Sequence, residues 1–293
     1  MDGSQGRADE VGKAMIRDIL VPMTFTVGDD AALDAALRIA ERTGARVAAL
    51  ITTEVPTSLP VDWTAFSAEV YAGMYEDASR RSQALAERLR IRLASADASA
   101  EIRRVEGMLQ RASRTGALHA VHADLSVTSR AANAASRANA QAMFSDLLVA
   151  SGRPVLLVPA SGPVELPPRR ACVAWQPTRE ASRAVHDAMP LLQSAEAVDV
   201  LVVDPDVSGG QHGAEPGADI AAHLAHHGLR VNVVQRPSMG LSVASAILRH
   251  AAEQGAELLV AGGYSHSRLR EQVLGGVTQE LFETAELPVL FSH

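Results

Sequence analysis

Cysteine is almost missing from this chain: Cys172 is the only thiol in 293 residues. No disulfide closes within one copy, and no cysteine-based zinc site can be assembled in it. Lysine is equally scarce, with Lys13 the single example among 27 Lys+Arg. It stands in a polar, Gly-containing stretch, residues 1–15, that reads as a disordered leader. A Walker-type phosphate lysine and a Schiff-base lysine are therefore excluded from the folded part, and P-loop ATPases and protein kinases go with them. Apolar runs such as 47–51, 147–150 and 198–203 are far short of the ~20 residues that cross a bilayer. The opening residues contain no apolar signal segment, so a cytoplasmic protein without a membrane partner is expected. Clustered cations are lacking too. The net charge is −7, with most of the acidic excess after residue 160, which argues against a nucleic-acid surface.

What is present is an ordinary globular composition, 47% hydrophobic and 21% charged, long enough for two cores. Short β-branched runs alternate with alanine-rich amphipathic stretches, the pattern of a parallel sheet covered on both faces. Strands are expected at 18–22, 46–52, 101–105, 124–128 and 153–158, and again at 171–175, 198–203, 231–235, 257–261 and 288–291. The two sets repeat: the first pair of strands has similar spacing in each, and Pro-Val-Leu recurs at Pro154 and Pro288. Duplication is the economical reading. It divides the chain into residues 16–160 and 170–293, joined by a Pro- and Gly-rich linker, 161–169, expected to be exposed. The first unit also inserts 56–73 before a helix that runs through Leu93. Trp63, Phe66, Tyr71 and Tyr75 are expected to pack there over a sheet edge or a partner.

The residues that carry chemistry follow the strand 257–261. Glycines permit close backbone approach and positive φ, so successive N–H groups can form an anion-binding nest ahead of a helix N-terminus. Gly262, Gly275 and Gly276 bracket such a loop, and Arg268 and Arg270 supply cations able to reach a phosphate. This run resembles the universal stress protein family. Its nucleotide-binding members carry Gly, two residues, Gly, nine residues, Gly, then Ser or Thr after this strand. The spacing is matched by Gly262, Ser265 and Gly275, with Gly276 in the hydroxyl position.

The resemblance implies an α/β fold of two tandem doubly wound five-stranded parallel sheets, each in strand order three-two-one-four-five and paired about a pseudo-twofold axis. It further implies stress response or signalling, a homodimer or unidentified protein partners, and ATP or ADP as cofactor. The implied nucleotide site comprises Gln176, Val203, Gly262, Ser265, His266, Arg268, Arg270, Gly275, Gly276, Val277 and Thr278. Three positions depart from the family pattern. Ser265 replaces the second glycine, at a cost on the order of 1–2 kcal/mol if φ is positive there. Gln176 replaces the Asp that holds the base and ribose, and Gly276 replaces a hydroxyl. In the first unit Thr24 takes the Asp position, and no glycine follows 124–128 before Gly152, so that unit is read as a structural partner without nucleotide.

No catalytic residue and no metal site is assigned, and the chain is read as a non-enzyme. A nucleotide-free interaction module is the alternative, and a slow ATPase using His266 and Ser267 the third reading. His223, His226 and His227, like His119 and His122, are read as solvated helix faces rather than metal ligands. Asp29, Asp30 and Asp34 are read as caps of the first helix.

Overall fold

The computed structural model describes residues 16–54, 68–107, 111–162, 164–205, 215–263 and 275–293. The first unit runs β1 (Asp18–Met23), α1 (Gly28–Thr43), β2 (Arg46–Glu54), α2 (Ala68–Leu93), β3 (Ser99–Gly107), α3 (Ala112–Ala120), β4 (Leu125–Ser129), α4 (Ala134–Ala150) and β5 (Val155–Val158). The second repeats the order with β6 (Arg170–Ala174), α5 (Arg179–Leu192), β7 (Ala197–Val203), α6 (Ala218–His226), β8 (Val231–Arg236), α7 (Val243–Glu253), β9 (Leu258–Gly262), α8 (Gly276–Thr284) and β10 (Val289–Ser292). All ten expected strands are found within a few residues of their predicted bounds. Helix α2 starts inside the segment read as an insertion, and Trp63 and Phe66 lie outside the described residues.

The central strands are apolar on both faces because helices cover both. On one side α1, α2, α5 and α6 bury residues such as Leu33, Leu89, Val185 and Leu224. On the other, α3, α4, α7 and α8 bury Ala120, Phe144, Ile247 and Phe282. This layering is what continuous Val/Ile/Leu strands require.

Each unit has the expected strand order. The two sheets are nonetheless not separate: the ten strands form one sheet, β3-β2-β1-β4-β5-β10-β9-β6-β7-β8. Every pairing is parallel except β5 with β10, which run antiparallel with Leu156 opposite Leu290. That correction has a physical reason. Alone, each unit would leave its fifth strand as an unpaired edge, and pairing the two edges satisfies both ladders. The linker also differs from its expected exposure, since Val164 and Leu166 are buried in the core. Among the described residues, no helix is long and apolar enough to cross a membrane.

A polar cluster is buried in the second unit. Cys172, Asp199 and Asn232 are register neighbours on β6, β7 and β8 and so share a face. Asp199 accepts from Asn232 Nδ2 at 3.1 Å and lies 3.1 Å from His250 Nε2 of α7. Among the described residues His250 Nδ1 has no hydrogen-bond partner, so Asp199 is the one tie they give the imidazole. Burial, with the Asp199 carboxylate adding to it, pushes the Cys172 thiol up to about 12. Replacing Asp199 by Ala strands the buried His250 imidazole, and is expected to cost about 2–4 kcal/mol. Asp199→Asn should cost less, as read by urea unfolding. The Cys172 thiol is expected to resist DTNB at pH 8 in the folded chain and to react fully once urea unfolds it.

Candidate functional site

In an open α/β sheet, ligands bind beyond the carboxyl ends of the strands, at the point where the chain reverses direction across the sheet. In the second unit that point lies between β6 and β9. Gln176 follows β6 and is exposed, whereas Val203 closes β7 and Gly262 closes β9. Helix α8 links β9 to β10, which are parallel, so its N-terminus faces the same carboxyl edge. Gly275 is its N-cap and makes no side-chain cap bond. Gly276 and Val277 are exposed there and Thr278 is buried. Ser265, His266, Arg268 and Arg270 lie outside the described residues. The structure thus brings Gln176, Val203, Gly262 and the start of α8 to one edge.

Two neighbours of this edge escaped sequence reading. Glu280, in α8, accepts from Ser242 Oγ at 2.5 Å and Ser245 Oγ at 2.7 Å. These hydrogen bonds hold its carboxyl below the usual range. Ser242 also caps α7 through the Ser245 amide, and the Ser-x-x-Ser spacing was the available signal. Just past Val203, Asp204 adopts φ 48° and accepts from the Ser238 amide at 2.9 Å, tying the β7 end to the segment after β8.

The glycines do different work from that expected. None of Gly262, Gly275 and Gly276 has a positive φ, and Gly275 sits at φ −58°. Gly262 is needed for contact instead: a Cβ there would lie 2.6 Å from the Ala181 amide nitrogen, in the first turn of α5. The first unit solves the same contact in reverse. Ser129, the equivalent end of β4, carries the side chain, and Gly28 of α1 makes room for it, since a Cβ on Gly28 would collide with Ser129 Oγ. The glycine has changed sides of one helix–strand junction.

In the first unit Asp29 does not cap α1. Its carboxylate turns back and accepts from the Thr24 amide at 3.0 Å, Thr24 Oγ1 at 2.6 Å and the Phe25 amide at 2.8 Å. Burial raises the Asp29 carboxyl above its ordinary range against these opposing hydrogen bonds. Asp30 and Asp34 pair with Arg92 at 2.6 and 2.5 Å. Among the histidines, His223 neighbours His227 and, unforeseen, His186, with ring centroids 4.8 and 5.3 Å away. Among the described residues, no group of three or more His, Cys, Asp or Glu is arranged to hold a metal ion.

Gly262→Ala is therefore expected to destabilise the second unit by about 1–3 kcal/mol, because the Cβ meets backbone that cannot rotate away. A Cβ on Gly275 meets nothing within 4 Å, so Gly275→Ala should leave the urea midpoint unchanged. Equal losses in both variants would contradict this assignment.

Comparison with known proteins agrees with the topology. Residues 168–293 match the model of the Universal stress protein family. No curated protein matches the sequence. Among solved structures, a universal stress protein from Archaeoglobus fulgidus DSM 4304 superposes with a TM-score of 0.71 at 14% identity, covering 94% of this chain and 96% of that one. A functionally unknown protein from Pseudomonas aeruginosa PAO1 gives 0.61 at 18% identity, over 94% and 92%. Identities this low speak for the fold alone, and here the fold agrees over nearly the whole length. The chain's two units share the universal stress protein fold, and its residues 168–293 carry the match to that family's model.

Proposed function

We propose that this chain is a stress-response or signalling protein that holds an adenine nucleotide, ATP or ADP, in its second unit. The observation that carries the reading is the convergence of Gln176, Val203 and Gly262 on the uncapped N-terminus of α8, inside the part that matches the family. The positive N-terminal end of a helix suits a phosphate. An amide side chain such as that of Gln176 can both donate to and accept from a base or ribose. In this reading the phosphates lie along the backbone from Ser265 to Thr278, with Arg268 and Arg270 beside them, and the base lies against Gln176 and Val203. His266, Gly275, Gly276 and Val277 complete the lining. Nucleotide occupancy then alters a surface that a protein partner or a second copy reads.

A nucleotide-free interaction module is the second reading, favoured by Gln176 and Ser265 standing where the family carries Asp and Gly. Calorimetry of the full chain with ATP and ADP separates the two, supported by mass spectrometry of small molecules released from freshly purified protein. Restoring Asp at Gln176 and Gly at Ser265 together is expected to tighten binding by about 1–3 kcal/mol. Gly275→Val should abolish it, because a branched side chain stands in front of the first amides of α8. If none of these variants changes the heat of binding, the second reading replaces the first.

A further inference from the structure

The unit read from its sequence as a structural partner contains a cavity of about 1180 Å³. That volume is somewhat above the range of about 300–1,000 Å³ in which most small-molecule sites fall, so it leaves ample room for one. The cavity opens beyond the carboxyl ends of β1 and β2, between the two helical layers, with walls from α2, the start of α3, and α4. Alanines at 78, 84, 138 and 142 leave room in it, their small side chains standing in the lining where longer ones would fill the space.

Its polar groups are unequally satisfied. The two carboxylates are engaged: Asp30 pairs with Arg92 at 2.6 Å and Arg88 at 4.0 Å, and Glu54 accepts from the Ala112 amide at 3.3 Å. Arg81 and Arg111, also in the lining, have no ion-pair partner among the described residues. Ser113, in the first turn of α3, lines the cavity at 5% exposure. Its buried hydroxyl has no hydrogen-bond partner among the described residues, a state that folded proteins rarely tolerate without a ligand or water to complete it. A hydroxyl and two guanidiniums without partners among the described residues therefore line the same cavity as the positive end of α3.

Met23, Phe25, Leu85 and Met143 add apolar surface to the wall. Phe25 is 48% exposed and is held at φ 58° by the bond from its amide to Asp29. A bulky residue at positive φ is strained, and such strain gathers at ligand sites.

We propose that this cavity binds a small organic anion, with an apolar or aromatic body against Phe25, Leu85 and Met143 and an acidic group at Arg81, Arg111 and Ser113. It is independent of the nucleotide reading, since it lies in the other unit and uses no glycine loop.

The test is fluorescence titration of the full chain with 8-anilinonaphthalene-1-sulfonate, beside the neutral probe N-phenyl-1-naphthylamine. Saturable binding of one sulfonate per chain is expected, at least tenfold tighter than the neutral probe. The double variant Arg81→Glu/Arg111→Glu changes two exposed side chains and should weaken the sulfonate at least tenfold while leaving the neutral probe unchanged. Ala142→Trp fills the space and should remove both probes; circular dichroism and the urea midpoint report whether each variant is folded. Absence of saturable binding, equal affinity for the two probes, or an arginine variant that binds the sulfonate like the parent overturns the proposal. Should Ala142→Trp fail to fold, the arginine variant decides it.

Discussion

The antiparallel pairing of β5 with β10 is the constraint on which the rest of the molecule depends. Its three register pairs, Val155 with Phe291, Leu156 with Leu290 and Leu157 with Val289, are buried to within 1% of complete. Above the seam, Phe144 of α4 meets Phe282 of α8 and Phe291 of β10, each with ring centroids 5.2 Å apart. A chain with only 3% aromatics thus gathers three of its five phenylalanines at the join, where ring packing adds to burial. The sheet's two remaining edges are β3 and β8. Edge β3 carries Glu101, Arg103, Arg104 and Glu106, the charged pattern that discourages pairing with another chain.

The seam also fixes where ligands can go. Because β5 and β10 run in opposite directions, the carboxyl ends of the two sets of strands point to opposite edges of the sheet. The cavity of the first unit and the crevice of the second therefore open on opposite sides of the molecule. No single small ligand can span them, and each unit must be judged by its own residues.

The strands were legible because β-branched runs bounded by Gly and Pro have few alternatives in a chain of this composition. Their order was legible only through resemblance. The join itself was not: Pro-Val-Leu at 154 and 288 reveals that two strands are equivalent, but equivalence in sequence carries no statement about contact. Burial of Val164 and Leu166 escaped notice for a similar reason, since the surrounding Pro and Gly report chain direction rather than packing. At the site, sequence shows that Gly262 lacks a side chain but not what approaches it. The approaching group, the Ala181 amide, is 81 residues away in the chain, and the reciprocal pair Gly28 and Ser129 becomes visible only when the two units are laid over one another. The cavity left no motif at all, because empty space between layers is made by alanines that are unremarkable in any helix.

The two units have therefore diverged by different physical routes. A phosphate loop requires particular backbone geometry and is recognisable by glycines, so its loss from the first unit is readable as the run Ser129-Arg130-Ala131-Ala132-Asn133. A cavity requires only that facing helices carry small side chains, so it can persist where the loop has gone. What connects the two is one helix pair. Met143 and Asn139 of α4 line the first-unit cavity, while Gln141 of the same helix donates to Gln279 of α8 at 3.1 Å and Arg130 donates to the Glu283 carbonyl at 2.7 Å. Helix α8 in turn begins at the second-unit crevice. Gln279 and Phe282 are therefore the α8 residues through which α4, a wall of the first cavity, meets the helix that begins at the second crevice.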